Sequence, residues 1–515
     1  MAAAGRYTQW GCIQENGEKM SVQRLVARRI ADGITPEIYP GRITMQSGVI
    51  TGVERGDFSG SSGDVFFDAD KLVCPAFIDA HGHSDLSLFA MPQAQGKIAQ
   101  GIAFEISGNC GLSPFPLTGY NREHLQELYR NYRIPLDWQD FSGYSNALKK
   151  LDPALELFPQ VGHNTLRAAV AGYEKEHLSS AELLAMCNLL DRELAAGAVG
   201  FSAGLLYVPG CFADAGELVQ LLKVVARHNK VFSIHLKSEG NKLEEALAET
   251  LSVARSAGLK KLHLSHLKTS GRENYHKINA LLEALESPDI SVSGDVYCYN
   301  ASMTQLSVIM PEPFDKYDDV HLMQVLHDPA AFARAAIGLQ HERSESYWQD
   351  VRIVSVSGQY RKFNGSLLAA AAAELNIPAW QLYLEIVRQD AAGATGAFHT
   401  LSQKNMETLA AHRSVVPGSD ESARDLTTAF GSSHPRGFGN HAEYFALRRK
   451  QGADLWQIIR EMSAQIAEIF DLPHIGAIAC GRQAVFTVID PERYRSAATF
   501  AAPHQLAENA EIWRF

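Results

Sequence analysis

Eight short apolar runs recur along the chain after Cys74, and stretches with helical periodicity separate them. The runs are "AFIDA", "IAFEIS", "ELFPQVG", "GAVGFS", "KVFSIH", "KLHLSH", "ISVSGDVY" and "SVVPGS". Each is short enough to be a strand buried on both faces. Segments such as "DAGELVQLLKVVARHN" and "GNKLEEALAETLSVARSAG" place apolar residues at i, i+3, i+4 and i+7, the pattern of a helix with one buried stripe. Strands alternating with helices in this number predict an α/β chain folded as a (β/α)8 barrel. A doubly wound sheet is the alternative, yet no Gly-rich G-x-G-x-x-G or P-loop follows any of the runs.

The remainder of the chain fits around that barrel. Residues 1–73 read as the N-terminal part of a small β domain, because from Val22 to Val73 short alternating segments such as "RITMQSGVITGVERG" are separated by glycines; an antiparallel module is expected there. The barrel is expected over 74–455, with a helical insertion at about 305–390 between the seventh and eighth runs, too long for a simple loop. Residues 456–515 contain a helical "REMSAQIAEIF" and then "AVFTVID" and "AATFAA", two strand-like pieces expected to return to the N-terminal β domain.

In a barrel of this kind, functional groups gather at the C-terminal ends of the strands. His81 and His83 follow the first run, Cys110 the second, His163 the third, His235 the fifth, His266 the sixth and Asp420 the eighth. His81 and His83 are two apart, so in an extended segment both imidazoles face the same side. Several imidazoles, a thiol and a carboxylate at one end of a barrel are the donor set of a metal centre. His263 precedes His266 by three and faces away from it on a strand; with Cys298, His434 and His441 it reads as a non-ligand.

Composition narrows the partners. A formal charge of −11, with no basic stripe, argues against nucleic acid or an anionic membrane as the main partner. The opening "MAAAGRYTQWGCIQENGEKM" lacks the basic and apolar regions of a signal peptide, and no window reaches the ~20 apolar residues of a membrane span, so a cytoplasmic location is expected. The seven cysteines form no short-chain disulfide framework and read as reduced thiols.

The stretches "CPAFIDAHGHSDL", "EISGNCGLSPF", "VGHNTLR", "GAVGFSAGLLYVPG", "HLKSEG", "SHLK", "DVYCY", "GSDESA" and "HPRGFG" occur in one order over about three quarters of the chain. In these motifs the chain resembles the D-aminoacylases, or N-acyl-D-amino-acid deacylases, of the amidohydrolase superfamily. The "GNCG" motif is the most specific of them, for this family places a cysteine where many amidohydrolases have a carboxylated lysine or a glutamate, and Cys110 matches it.

The resemblance implies that Cys110, His235 and His266 hold a tightly bound Zn²⁺, with His81, His83 and Asp420 lining a second position that is weaker or empty. The donor chemistry agrees, because a thiolate and two imidazoles leave a fourth position open for water, as catalytic zinc requires. Zinc lowers the pKa of such a water towards ~7. Asp420 then suits a general base that later returns the proton to the leaving amine. By the same resemblance Tyr207 polarises the scissile carbonyl, and Lys268, Arg436 and a tyrosine of "DVYCY" bind the substrate's α-carboxylate. Tyr299 is the preferred tyrosine and Tyr297 the fallback; His163 either touches substrate or orients a loop.

The expected activity is zinc-dependent hydrolysis of the amide of an N-acyl-D-amino acid, a small-molecule substrate, to a carboxylate and a free D-amino acid. The alternatives are opening of a cyclic amide, cleavage of a dipeptide with a C-terminal D-residue, or a binding protein that retained the barrel without the reaction. Lys268 and Arg436 favour a substrate with a free carboxylate. Three departures set the chain apart from the family pattern: "GSDE" where the family commonly reads "GSDG", a longer stretch between Asp420 and Arg436, and a replaced segment after the barrel.

Overall fold

The computed structural model describes residues 22–427 and 432–515, so the N-terminal stretch read above for a signal peptide lies outside the described residues. All eight apolar runs contain strands, and the structure is mixed α/β. Phe77–Asp79, Ile102–Ser107 and Glu156–Pro159 pair in parallel as one sheet. Val161–Gly162, Gly200–Gly204, Val231–His235, Lys261–Leu264, Ser291–Val296 and Val415–Pro417 form a second parallel sheet. Hydrogen bonds run between the two sheets: Ala80 N–H donates to the Pro417 carbonyl at 3.2 Å and Val199 N–H to the Pro159 carbonyl at 3.0 Å. These strands are buried along almost their whole length, which explains their unbroken apolar character in the sequence.

The helices between them form for local reasons. Helix Ala215–Arg227 starts where the Asp214 carboxylate accepts the Glu217 N–H, and it buries Leu218, Leu221, Leu222 and Val225 on one face. Helix Ser180–Ala196 opens on a reciprocal cap between Ser179 and Glu182. Their apolar faces pack on the parallel strands in the largest core of the molecule.

The N-terminal β region is mixed rather than purely antiparallel. Gln23–Ile30 pairs antiparallel with Tyr39–Gln46, but parallel with both Val65–Phe67 and Leu72–Pro75. Val485–Ile489 joins this sheet by pairing antiparallel with Leu72–Pro75, and Ala510–Arg514 pairs on its far side. The piece "AATFAA" is not a strand; the second C-terminal strand is Ala510–Arg514, whose alternating "AEIWR" carries charge because it lies at a sheet edge. The expected helix in "REMSAQIAEIF" is split into Leu455–Glu461 and Ala464–Ile469.

Between the last two parallel strands lies a body with a core of its own. Helices Asp319–Val325, Pro329–Glu342, Leu368–Glu374 and Ala379–Asp390 pack around Trp348, Tyr383, Leu306 and Leu339. Trp348 is 1 % exposed, a burial that contributes about 3 kcal/mol. The insertion is not wholly helical, for Ser302–Gln305, Val351–Ser355 and Thr395–Phe398 form a three-stranded antiparallel sheet. No helix among the described residues is long and apolar enough to cross a membrane.

Candidate metal centre

The strand Phe77–Asp79 ends in "AHGHS", and the glycine between the histidines is required. A Cβ on Gly82 would lie 2.0 Å from the Glu105 carboxyl carbon, because Glu105 reaches under the turn to accept from the Ser84 N–H and hydroxyl. Lys97, fully buried, lies between Asp79 and Glu105 and donates to the Glu421 carbonyl at 3.0 Å. This network ties the first strand to the second and to the loop after the eighth, fixing His81, His83 and Asp420 relative to one another. Its two carboxylates offset the cost of burying the ammonium.

The structure brings the six candidate donors into two groups that share Cys110. Cys110, His235 and His266 present donor atoms all within 4.8 Å of one another, and so do His81, His83, Cys110 and Asp420. Cys110 Sγ lies 3.4 Å from both His81 Nε2 and His266 Nε2; His83 Nε2 lies 3.2 Å from Asp420 Oδ1. Three of the donors hold left-handed backbone: Cys110 at φ 52°, His266 at φ 36° and Asp420 at φ 52°. Each costs about 1–2 kcal/mol, and the surrounding network keeps them there.

The electrostatics suit a cation. Burial pushes the Cys110 thiol up, but the charges of His81 and His266 outweigh it and hold the thiol well below its ordinary range. Burial likewise opposes charge on His83, yet its hydrogen bonds with Asp420 and Cys110 raise its pKa to about 10. Burial and Lys268 lower His266, and the Cys110, Glu239 and Asp420 charges more than reverse this, to about 9. Asp420 is held far below the usual carboxylate range against its burial, chiefly by Arg436 and His266. His235 is 5 % exposed and neither of its ring nitrogens has a hydrogen-bond partner among the described residues. A thiolate, imidazoles, a carboxylate and an imidazole whose ring nitrogens make no hydrogen bond among the described residues fit a zinc-type ion. Such an ion would replace the protons that His83 and His266 otherwise hold.

These groups open onto a cavity of about 490 Å³, whose lining includes His83, Cys110, Tyr207, His266 and Asp420. Tyr207 is half-buried, and its hydroxyl lies 3.1 Å from Thr304 Oγ1 of the insertion. Burial and the Cys110 charge keep the phenol protonated. Lys268 and Arg436 also line the cavity, but both already have carboxylate partners: Lys268 Nζ is 2.7 Å from Glu239 Oε1, and Arg436 Nη1 is 2.8 Å from Asp420 Oδ2. Of the two tyrosines, Tyr297 is the one against these cations, with Lys268 Nζ 5.6 Å and Arg436 Cζ 4.6 Å from its ring centre. Neither tyrosine is among the residues lining the cavity; Tyr299, the preferred residue in the sequence, has its hydroxyl 3.4 Å from the Pro435 carbonyl and its ring against His434 and Phe500.

His163 is fully buried outside the cavity lining, 2.8 Å from Glu217 of helix Ala215–Arg227. His434 and His441 are also away from the donors, each within hydrogen-bond distance of a backbone carbonyl, of Ala301 and Ile78 respectively. Two carboxylates escaped the sequence reading. Glu239 of "HLKSEG" lies 3.0 Å from His266 Nδ1, and its pKa falls to about 2 against the burial penalty because of Lys268, His235 and His266. Asp295 of "DVYCY" receives His81 Nδ1 at 3.1 Å. Its signal was available, for it is the last polar residue of the seventh strand, one position before the strand ends at Val296.

No family model matches the chain. It is 29% identical to the N-acyl-D-glutamate deacylase of Alcaligenes xylosoxydans xylosoxydans over 456 residues, 87% of this chain and 83% of that one. Among solved structures it is similar to the N-acyl-D-glutamate deacylase of Bordetella bronchiseptica complexed with zinc and a phosphonate mimic of the tetrahedral intermediate. The TM-score is 0.78 and the identity 25%, covering 96% of this chain and 95% of that one. A D-aminoacylase with a binuclear metal centre matches with a TM-score of 0.77 and 26% identity, over 95% and 94% of the two chains. The resemblance read from the motifs stands: relatives over most of the chain are N-acyl-D-amino-acid deacylases and D-aminoacylases, amidohydrolases acting on amide bonds.

Proposed function

From this kinship with D-aminoacylases and N-acyl-D-amino-acid deacylases, we propose that the chain is a metal-dependent amidohydrolase that cleaves an N-acyl-D-amino acid to a carboxylate and a free D-amino acid. The observation that carries the proposal is Cys110, shared by two groups of metal donors in the lining of a cavity that also holds Lys268 and Arg436. We also infer that the eight parallel strands belong to one closed barrel, supported by the hydrogen bond from Ala80 to Pro417 that links the first strand to the eighth.

Cys110, His235 and His266 would hold a zinc ion tightly, and His81, His83 and Asp420 would line a second position beside the shared thiolate. Zinc supplies Lewis acidity and makes a water molecule acidic near neutral pH. Asp420 stays ionised beside Arg436 and can take a proton from water and return it to the departing amine. Tyr207 keeps its proton and can donate to the oxygen of the carbonyl under attack, exchanging its bond to Thr304 for one to substrate. The substrate carboxylate meets Lys268 and Arg436 as partners of Glu239 and Asp420, so these cations bind it while staying in place.

The test is hydrolysis of N-acetyl amino acids, each as the D and the L isomer, by zinc-loaded protein with detection of the freed amine. Cleavage restricted to D isomers is expected. Absence of cleavage across the set, with metal bound, rejects the substrate class.

A further inference from the structure

His81 and His263 both reach one oxygen of a fully buried carboxylate. Asp295 Oδ1 lies 3.1 Å from His81 Nδ1 and 3.0 Å from His263 Nε2, while His263 Nδ1 lies 2.9 Å from Ser293 Oγ. His81, His263 and Asp295 are each 0 % exposed, and Asp295 Oδ2 has no hydrogen-bond partner among the described residues. An ionised carboxylate only accepts, so both imidazoles must present N–H to Oδ1. For His81 this leaves Nε2 as the atom facing Cys110 Sγ at 3.4 Å and Asp420 Oδ1 at 3.6 Å. Removing His263 would take away one of the two imidazole donors that hold the carboxylate in position.

We propose that His263 is a positioning residue for the metal centre: acting through Asp295, it fixes the ring of His81 with Nδ1 protonated and Nε2 presented to the donor cluster. Outer partners of this kind orient metal ligands and change metal affinity by about 10- to 100-fold. The inference rests on the reading that His81 serves the second metal position. It also gives His263 a task that its place three residues before His266 does not reveal.

The experiment uses the full chain with ¹⁵N-labelled histidine, observed with and without zinc, together with titration of zinc stoichiometry and affinity. In the wild type, His81 is expected to show a slowly exchanging Nδ1–H signal, assigned by its absence in His81→Gln. His263→Leu should lose that signal and bind the weaker of two zinc ions at least about 10-fold less well, with the tighter ion unchanged. His263→Gln, whose amide can still donate to Asp295, should restore both. Should the leucine variant not fold, His263→Asn, too short to reach Asp295, is expected to show the same loss. A wild type without the His81 Nδ1–H signal, or folded His263→Leu or His263→Asn that keeps it, overturns the proposal. Binding of only one zinc ion by the wild type instead defeats the reading of the second position, while the histidine signal still decides the role of His263.

Discussion

The floor and the roof of the cavity are built on opposite terms. The floor comes from the ends of parallel strands and is dense in charge: a thiol, imidazoles and carboxylates, with Lys268 and Arg436 each against a carboxylate and three donors in left-handed backbone. The roof comes from the insertion and contributes residues such as Met303, Thr304, Val308, Ile309 and Phe398, none of them charged. Rigid strand ends hold groups whose separation must not vary, whereas an inserted body can change its lining without disturbing them. On the function proposed above, chemistry would belong to the floor and choice of side chain to the roof.

The sharpest way to break this division is at Cys110, which both donor groups share. Cys110→Ala should remove the tightly held metal and reduce turnover by about 10⁴-fold or more, read by metal analysis and initial rates. Next, Asp420→Asn should lower kcat by about 10³-fold with the tight metal retained; near-normal turnover would remove Asp420 as the base. Tyr207→Phe should lower kcat by about 10²-fold with little change in KM, and a change confined to KM would move this residue from the reaction to binding. On the roof, Ile309→Ala should alter the ratio of kcat/KM between a large and a small D-substrate by about 10-fold. A uniform loss of kcat for both substrates would show that the roof takes part in the chemistry.

The smallest effect concerns stability of the roof alone. Burial raises the Asp319 carboxyl to about 6, only partly offset by its hydrogen bond from Ser307. The unfolded chain loses this proton near the ordinary 3.8 and the folded chain near 6, so stability is retained below the lower value and declines as pH rises between them. Asp319→Asn should remove that decline, about 2 kcal/mol, in urea unfolding compared at pH 4 and pH 7.

The same division separates what the sequence disclosed from what it concealed. The eight strands were legible because burial on both faces makes each an unbroken apolar run, and a polar residue closing such a run is conspicuous at His81, Cys110, His235, His266 and Asp420. Glu239 and Asp295 were missed because their partners come from other strands, across 27 positions for His266 and 214 for His81, and no spacing rule links them. Alternation could not choose between the tyrosines after the seventh strand, because the extended backbone ends at Val296 before either of them. In the roof, strands of four or five residues such as Val351–Ser355 are too short for a pattern, and their pairing with Thr395–Phe398 is set by helices that intervene.

The strand Val485–Ile489 has a bearing on how the molecule is made. It lies beside Leu72–Pro75, and the Thr487 hydroxyl donates to the Gly101 carbonyl at 2.6 Å and accepts from the Phe77 N–H across 410 positions of sequence. Leu72–Pro75, the strand just before the segment that launches His81 and His83, therefore gains this second neighbour only when Val485–Ile489 has emerged from the ribosome. Until then Leu72–Pro75 is an open edge, and the nascent protein must be kept from pairing there with other chains during a long wait that its topology imposes.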